Sequence, residues 1–302
     1  MNSIKKMMLS GALGCLISGM AYADGSSPQP VKPYWQDIQV VAVNKEKPRS
    51  SFMSYADRET ALTSRFEKSP YYSLLNGTWK FFFVDSYKDL PQNITDPSVN
   101  TSSWDDITVP GNWEVQGHGV AIYTNHGYEF KPRNPQPPLL PEANPVGVYR
   151  RDIEIPASWD NRDIYLHIGG AKSGLYVYLN GKEVGYSEDS KNPAEFLINK
   201  YLQPGKNVLT LKIFRWSTGS YLECQDFWRM SGIERDVFLW SQPKASIQDF
   251  RVVSTLDDTY TNGIFKLAVD LKNHTQETKN LNVGYELLDA KGNLVTSEAN
   301  DI

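Results

Sequence analysis

Between residues 147 and 240 the chain repeatedly alternates apolar and polar positions with a period of two. GVYRRDIEI (147–155), DIYLHIG (163–169), GLYVYLNG (174–181), NVLTLKIFRW (207–216) and IERDVFLW (233–240) all read this way. Such alternation sends successive side chains to opposite faces and predicts half-buried antiparallel strands. Asn180-Gly181 suits a tight hairpin turn in which both central residues take positive φ. Pro110, Pro156, Pro193 and Pro204 stand where strands should end, because a residue without an N–H is tolerated there. No run of ten or more residues carries a helical period. The expected fold is all-β: a jelly-roll β-sandwich over residues 60–242, then the start of an immunoglobulin-like β-sandwich over 243–302. The second stretch, about 60 residues against the roughly 100 such a sandwich takes, is expected to be incomplete.

Residues 24–59 lack either period. SSPQPVKPYWQD is rich in Pro and NKEKPRSSFMSYADRET is charged and broken, so an extended arm lying over other domains is expected. Residues 1–23 carry Lys5 and Lys6, an apolar run from 7 to 20, and Ala21-Tyr22-Ala23. This is the layout of a secretory signal peptide cleaved after Ala23. Cys15 offers a lipoprotein alternative, but Ala stands in ALGC where Leu is usual, and the apolar run continues past it. The mature protein is then expected to start at Asp24 and to be periplasmic or secreted. Cys224 would be its single cysteine, without an internal disulfide partner and packed in the core.

Composition narrows the function. The formal charge is −4 and no basic run occurs, so the electrostatic footprint of a nucleic-acid binder is missing. After the leader no segment approaches the roughly 20 apolar residues of a membrane-spanning helix. Seventeen Tyr and eight Trp are many for 302 residues. Most should fill sandwich cores, and some should stand exposed to stack on sugar rings.

Three stretches are more specific than alternation requires: VPGNWEVQGHGVAIYTNHGYEF (109–130), VGYSEDSKNPAEF (184–196) and RWSTGSYLECQDFWRMSGIERDVFLW (215–240). With NPVGVYRRDIEIP between them, they resemble the amino-terminal sugar-binding domain of family 2 glycoside hydrolases, in particular of the large bacterial β-galactosidases. The resemblance runs from about residue 34 to the end. It implies that a (β/α)₈ barrel, about 250 residues in itself, supplies the two catalytic glutamates of a retaining β-galactosidase. This chain would contribute substrate contacts, and alone it would be inactive. The full-length enzyme would be a homo-oligomer acting on terminal β-galactosides, with Na⁺ bound and Mg²⁺ in the barrel. By the same resemblance Asn125 of the YTN step and Asp189 of the DS step contact the galactose hydroxyls, and Asp189 helps to hold the sodium ion. The rival readings are a free carbohydrate-binding module, or another family 2 activity such as β-glucuronidase or β-mannosidase.

The remaining polar residues read more simply. Glu188 and Asp189 are neighbours, so on a strand they point to opposite faces and make a poor catalytic pair. Asp226 and Arg229 are expected to form an ion pair anchoring their loop. His118 and His126 lack further ligands at metal spacing. Trp113, Tyr123, Trp216 and Trp228 either shape a cleft or pack the core.

Overall fold

The structure, a computed structural model, describes residues 32–130 and 134–302. The expected leader, including Cys15, lies outside them. The fold is all-β: among the described residues the longest α-helix is Arg58–Leu62, and no helix there is long and apolar enough to cross a membrane.

Two antiparallel sheets face each other. The larger has seven strands in the spatial order Ala42–Val43, Lys182–Ser187, Gly174–Leu179, Lys206–Phe214, Val146–Glu154, Gly77–Val84, Asp105–Val109. The smaller runs Ala194–Leu197, Arg162–Ile168, Val237–Pro243, Tyr72–Leu74. Their facing sides supply one core, with Trp79, Phe81, Tyr149, Val177 and Leu211 from the large sheet against Leu166, Ile168, Phe196 and Leu239 from the small one. The period of two sorts each strand. Leu166 and Ile168 point inward while Tyr165 and His167 point out, and Val237 and Leu239 point inward while Phe238 and Trp240 point out.

Both sheets also bury their outer faces, and the arm does much of this. Trp35 is buried and stacks on Phe214, ring centroids 5.0 Å apart, over the outer face of the large sheet. Met53 packs with Tyr165, Phe238 and Trp240 on the outer face of the small one. The arm therefore supplies core residues and an edge strand, Ala42–Val43, paired with Ser187 and Tyr186. The expected Asn180-Gly181 turn is present, with φ of 54° and 78°. The stretch 233–240 is not one strand. Ile233 pairs with Gly111 and Ala171 in a small separate sheet, while Val237 begins the pairing with Ile168. The chain changes sheets between them, and alternation alone does not reveal that.

Beyond residue 243 come two hairpins, Ala245–Leu256 with Gly263–Asn273 and Asn282–Leu288 with Leu294–Asp301. Phe265 and Tyr285 join them, ring centroids 5.2 Å apart. Asp163 of the first sandwich accepts hydrogen bonds from Lys272 (3.0 Å) and His274 (2.7 Å), tying the first hairpin to it.

Candidate functional site

The acidic stretch VGYSEDSKNPAEF divides into buried and exposed groups. Glu188 is buried, and its carboxylate accepts from the Tyr186 hydroxyl (2.7 Å), the Thr218 hydroxyl (2.7 Å) and the Gly219 N–H (2.8 Å). Burial pushes its carboxyl up, and these three bonds oppose that rise only in part. Glu195 is buried on the small sheet, gripped by Arg49 through Nε and Nη2 at 2.9 Å each, by His167 Nδ1 at 2.8 Å and by Trp240 Nε1 at 3.1 Å. Both are structural carboxylates. Asp189 and Asn192 are exposed and bond each other at 2.9 Å. The next residue, Ser190, donates its N–H and hydroxyl to Glu223 at 2.9 and 2.5 Å, stitching this loop to the segment before residue 227.

That segment leads into the feature with exposed binding chemistry. Strand Phe227–Arg229 pairs antiparallel with Ile122–Thr124 in a two-stranded ribbon, Thr124 opposite Phe227 and Tyr123 opposite Trp228. Asn125 and Asp226 follow and precede these strands, at the same end of the ribbon. Tyr123 and Trp228 are 54% and 53% exposed, ring centroids 5.7 Å apart. The Tyr123 hydroxyl donates to Asp226 Oδ1 at 2.9 Å, and that carboxylate raises the pKa of the phenol. Asn125 is exposed, its Oδ1 2.7 Å from His126 Nδ1. One edge of the ribbon thus offers two aromatic faces, a carboxylate and an amide. Those are the groups with which proteins hold a polyhydroxylated ring, by apolar contact with its C–H face and hydrogen bonds to its hydroxyls.

Beneath the ribbon lies a buried charge network. Lys172 Nζ meets Glu129 at 3.0 Å, and Arg215 Nε lies 3.5 Å from the other oxygen of Glu129. Arg215 Nη1 donates to the Val120 carbonyl (3.0 Å) and lies 3.6 Å from Glu114, while Nη2 donates to the Arg229 carbonyl (3.1 Å). Arg215 thereby grips both ends of the 120–129 loop and the ribbon's second strand. Burial pushes the Glu114 carboxyl up, opposed by the Ser231 N–H that it accepts.

The structure places Asn125 on the ribbon and Asp189 on a neighbouring loop. No hydrogen bond among the described residues joins them. They share only the 223–229 segment, through Ser190 at one end and Thr124 at the other. The carboxylate bonded into the ribbon is Asp226, through the Tyr123 hydroxyl, and sequence reasoning assigned it elsewhere. The expected Asp226–Arg229 ion pair is absent. Adjacent strand positions face opposite ways, so Asp226 and Arg229, three apart, diverge. Arg229 is buried, donating to the Glu223 carbonyl at 2.9 Å. The four aromatics split, with Trp113 and Trp216 buried and Tyr123 and Trp228 exposed. Cys224 is free and half-buried, its thiol pushed up by burial. A hard cation takes oxygen ligands. At Asp189 the described residues offer one carboxylate already holding an amide N–H, with the Lys45 ammonium close enough to feel its charge. The Asp189 Oδ1 accepts no bond among the described residues, so Asp189 can give one hard oxygen ligand to the expected Na⁺.

Fold and site together define an all-β sandwich domain with an exposed aromatic and polar ribbon suited to saccharides. Residues 72–243, more than half of the chain, match the family described as "Glycosyl hydrolases family 2, sugar binding domain", and the chain belongs to that family. It is 39% identical over 262 residues to a β-galactosidase of Priestia megaterium, covering 85% of this chain and 25% of that protein. A β-galactosidase of Psychromonas ingrahamii is 36% identical, with 87% of this chain and 24% of that protein covered. The chain spans about a quarter of the length of these relatives. The fold is shared with a β-glucuronidase of Bacteroides uniformis, at a TM-score of 0.61 and 20% identity over 76% of this chain and 26% of that one.

Proposed function

We propose that this chain is the sugar-binding part of a retaining β-galactosidase, and that its ribbon reaches toward a galactoside whose glycosidic bond is cleaved by residues outside the chain. The observation that carries this reading is the ribbon, whose exposed Tyr123 and Trp228 stand with Asp226, bonded to the Tyr123 hydroxyl, and with Asn125 just past Thr124. The identity to β-galactosidases supports the choice of galactoside. Retaining hydrolysis needs two carboxyl groups about 5 Å apart flanking the bond, and the buried glutamates of this sandwich are already engaged in holding loops. The chain's part is to orient. An ionised Asp226 accepts from sugar hydroxyls, and the Asn125 amide donates and accepts at an adjacent hydroxyl. A sodium ion would bring hydroxyl and carboxylate together, with Asp189 the ligand this chain would supply through its free Oδ1. The expected Mg²⁺ belongs to the barrel and draws on no residue here. Export to the periplasm, the jelly-roll topology and assembly into a homo-oligomer remain part of this proposal.

The test is nitrophenyl β-galactoside hydrolysis by the full-length protein, with the β-glucuronide and β-mannoside as comparison substrates. Asp226→Ala is expected to lower kcat/KM about 10- to 100-fold, the worth of one charge-assisted hydrogen bond in the transition state. A loss that falls on Asp189→Ala instead would move the contact to the other loop. Preference for the glucuronide or mannoside would replace the substrate.

A further inference from the structure

Both chain neighbours of the exposed Asp189 are anchored in one distant segment. On one side the Glu188 carboxylate accepts from Thr218 and Gly219. On the other, Ser190 is fully buried, and its N–H and hydroxyl meet the two oxygens of Glu223 at 2.9 and 2.5 Å. A buried serine needs an acceptor for each donor, and here a single carboxylate 33 residues away takes both. A backbone carbonyl would satisfy such donors at a lower desolvation cost. What the carboxylate adds is a two-point, charge-assisted grip that fixes distance and orientation together. Glu223 is itself held in place. Its N–H donates to the Gly219 carbonyl at 3.1 Å, and its own carbonyl accepts from Nη1 of the buried Arg229 at 2.9 Å. Arg229 thus takes the main chain and leaves the carboxylate to Ser190. The segment then runs through Asp226 into the ribbon strand Phe227–Arg229. A second contact joins the same two parts. Lys191 Nζ lies 5.2 Å from the centre of the Phe227 ring, and the Arg229 guanidinium lies 5.1 Å from it.

We propose that Glu223 is a positioning residue: it locks the 188–193 loop to the ribbon, so that the Asp189 and Asp226 carboxylates keep one fixed separation. Glu223 itself touches no substrate. Its effect passes through Ser190 to one carboxylate and along its own chain to the other, three residues on. Without the grip each part keeps its own anchor. Lys191 still pairs with Glu234, and its carbonyl still accepts from Arg235 at 2.7 Å, while Arg215 still binds the ribbon from below at the Arg229 carbonyl. Only their alignment with each other is lost. Misplacing one contact group relative to another weakens the transition state more than it weakens the fold. This role rests on the reading of the ribbon and of Asp189 as the groups that meet the galactoside and its ion.

Amide hydrogen exchange and nitrophenyl β-galactoside hydrolysis by the full-length protein test this on Glu223→Ala, Glu223→Gln and Ser190→Ala. In Glu223→Ala, exchange should quicken about 10-fold in peptides covering 188–193 and 224–229 and stay unchanged in the sheet strands, with kcat/KM about 10-fold lower. Glu223→Gln keeps an acceptor for the Ser190 N–H and an amide for its hydroxyl, so it should recover most of both. Ser190→Ala loses one of the two bonds and should fall between. Placed on Asp226→Ala, Glu223→Ala should lower kcat/KM by much less than it does alone, because part of its effect passes through Asp226. The proposal is overturned if exchange quickens in only one of the two segments or equally in the sheets. Parental kcat/KM in Glu223→Ala, or losses that add fully in the double variant, overturn it as well. Full hydrolytic activity in Asp226→Ala would instead mark failure of the ribbon reading, and the exchange pattern and the Glu223→Ala activity would still decide the role of Glu223.

Discussion

Four hydrogen bonds converge on Glu195, from two nitrogens of Arg49, from His167 and from Trp240. Burial by itself would raise its pKa. The His167 bond and the Arg49 charge outweigh burial and hold the carboxyl below the ordinary glutamate value. A depressed folded pKa means that stability from this ionisation is present above the unfolded value, about 4.3, and is lost as pH falls through the folded one. Glu195→Gln should therefore cost about 3–5 kcal/mol at neutral pH, because Arg49 is left buried without its partner. Its Tm should also fall less steeply than the parent's on acidification below about pH 4.3. Parallel melts of parent and variant across that range check both statements; equal slopes would mean that Glu195 is not the titrating group.

At the scale of elements, the ribbon is too short to hold itself, with three residues on each side. An isolated hairpin of that size is at best marginal in water. Its geometry comes from below, where Arg215 binds the Val120 carbonyl and lies beside Glu129, and Lys172 closes on Glu129. Glu129→Gln leaves two buried cations short of a counter-charge. The expected cost is about 3–5 kcal/mol, with faster amide hydrogen exchange in peptides covering residues 120–130 than in the sheet strands. Exchange that rises equally everywhere would show the network serving the whole sandwich and not this loop. About half of the ribbon was legible in the sequence. The YTN step drew notice to Asn125, but Asp226 gained its place only through a pairing between segments about 100 residues apart, and no local pattern encodes a register.

The whole molecule depends on the arm more than its broken pattern suggests. Trp35 is 2% exposed and caps the outer face of the seven-stranded sheet, so Trp35→Ala should cost about 3–5 kcal/mol. Chemical denaturation measures this; a loss under about 1 kcal/mol would mean that the arm lies loosely on the sheet. The chain by itself is expected to show no glycosidase turnover, since Glu188 and Glu195 are each tied into separate hydrogen-bond sets. Hydrolysis of nitrophenyl β-galactoside by the purified 302-residue chain, abolished by a carboxylate substitution within it, would reverse that conclusion.

The amino-acid sequence by itself determined the all-β class, most strand positions and the Asn180-Gly181 turn, because each follows from a period of two or from the φ that a residue tolerates. Family membership was also legible, through long motifs whose order survives without knowledge of contacts. Tertiary structure decided what the acidic stretch does. Glu188 and Glu195 became buried supports because Thr218, Arg49 and His167 reach them from distant segments, while Asp189 stayed exposed beside the arm. It also decided which aromatics face solvent and where the strand over 233–240 breaks. Burial and partnership are properties of pairs of segments. A single-strand pattern states which side chains share a face, but not what the fold brings against that face.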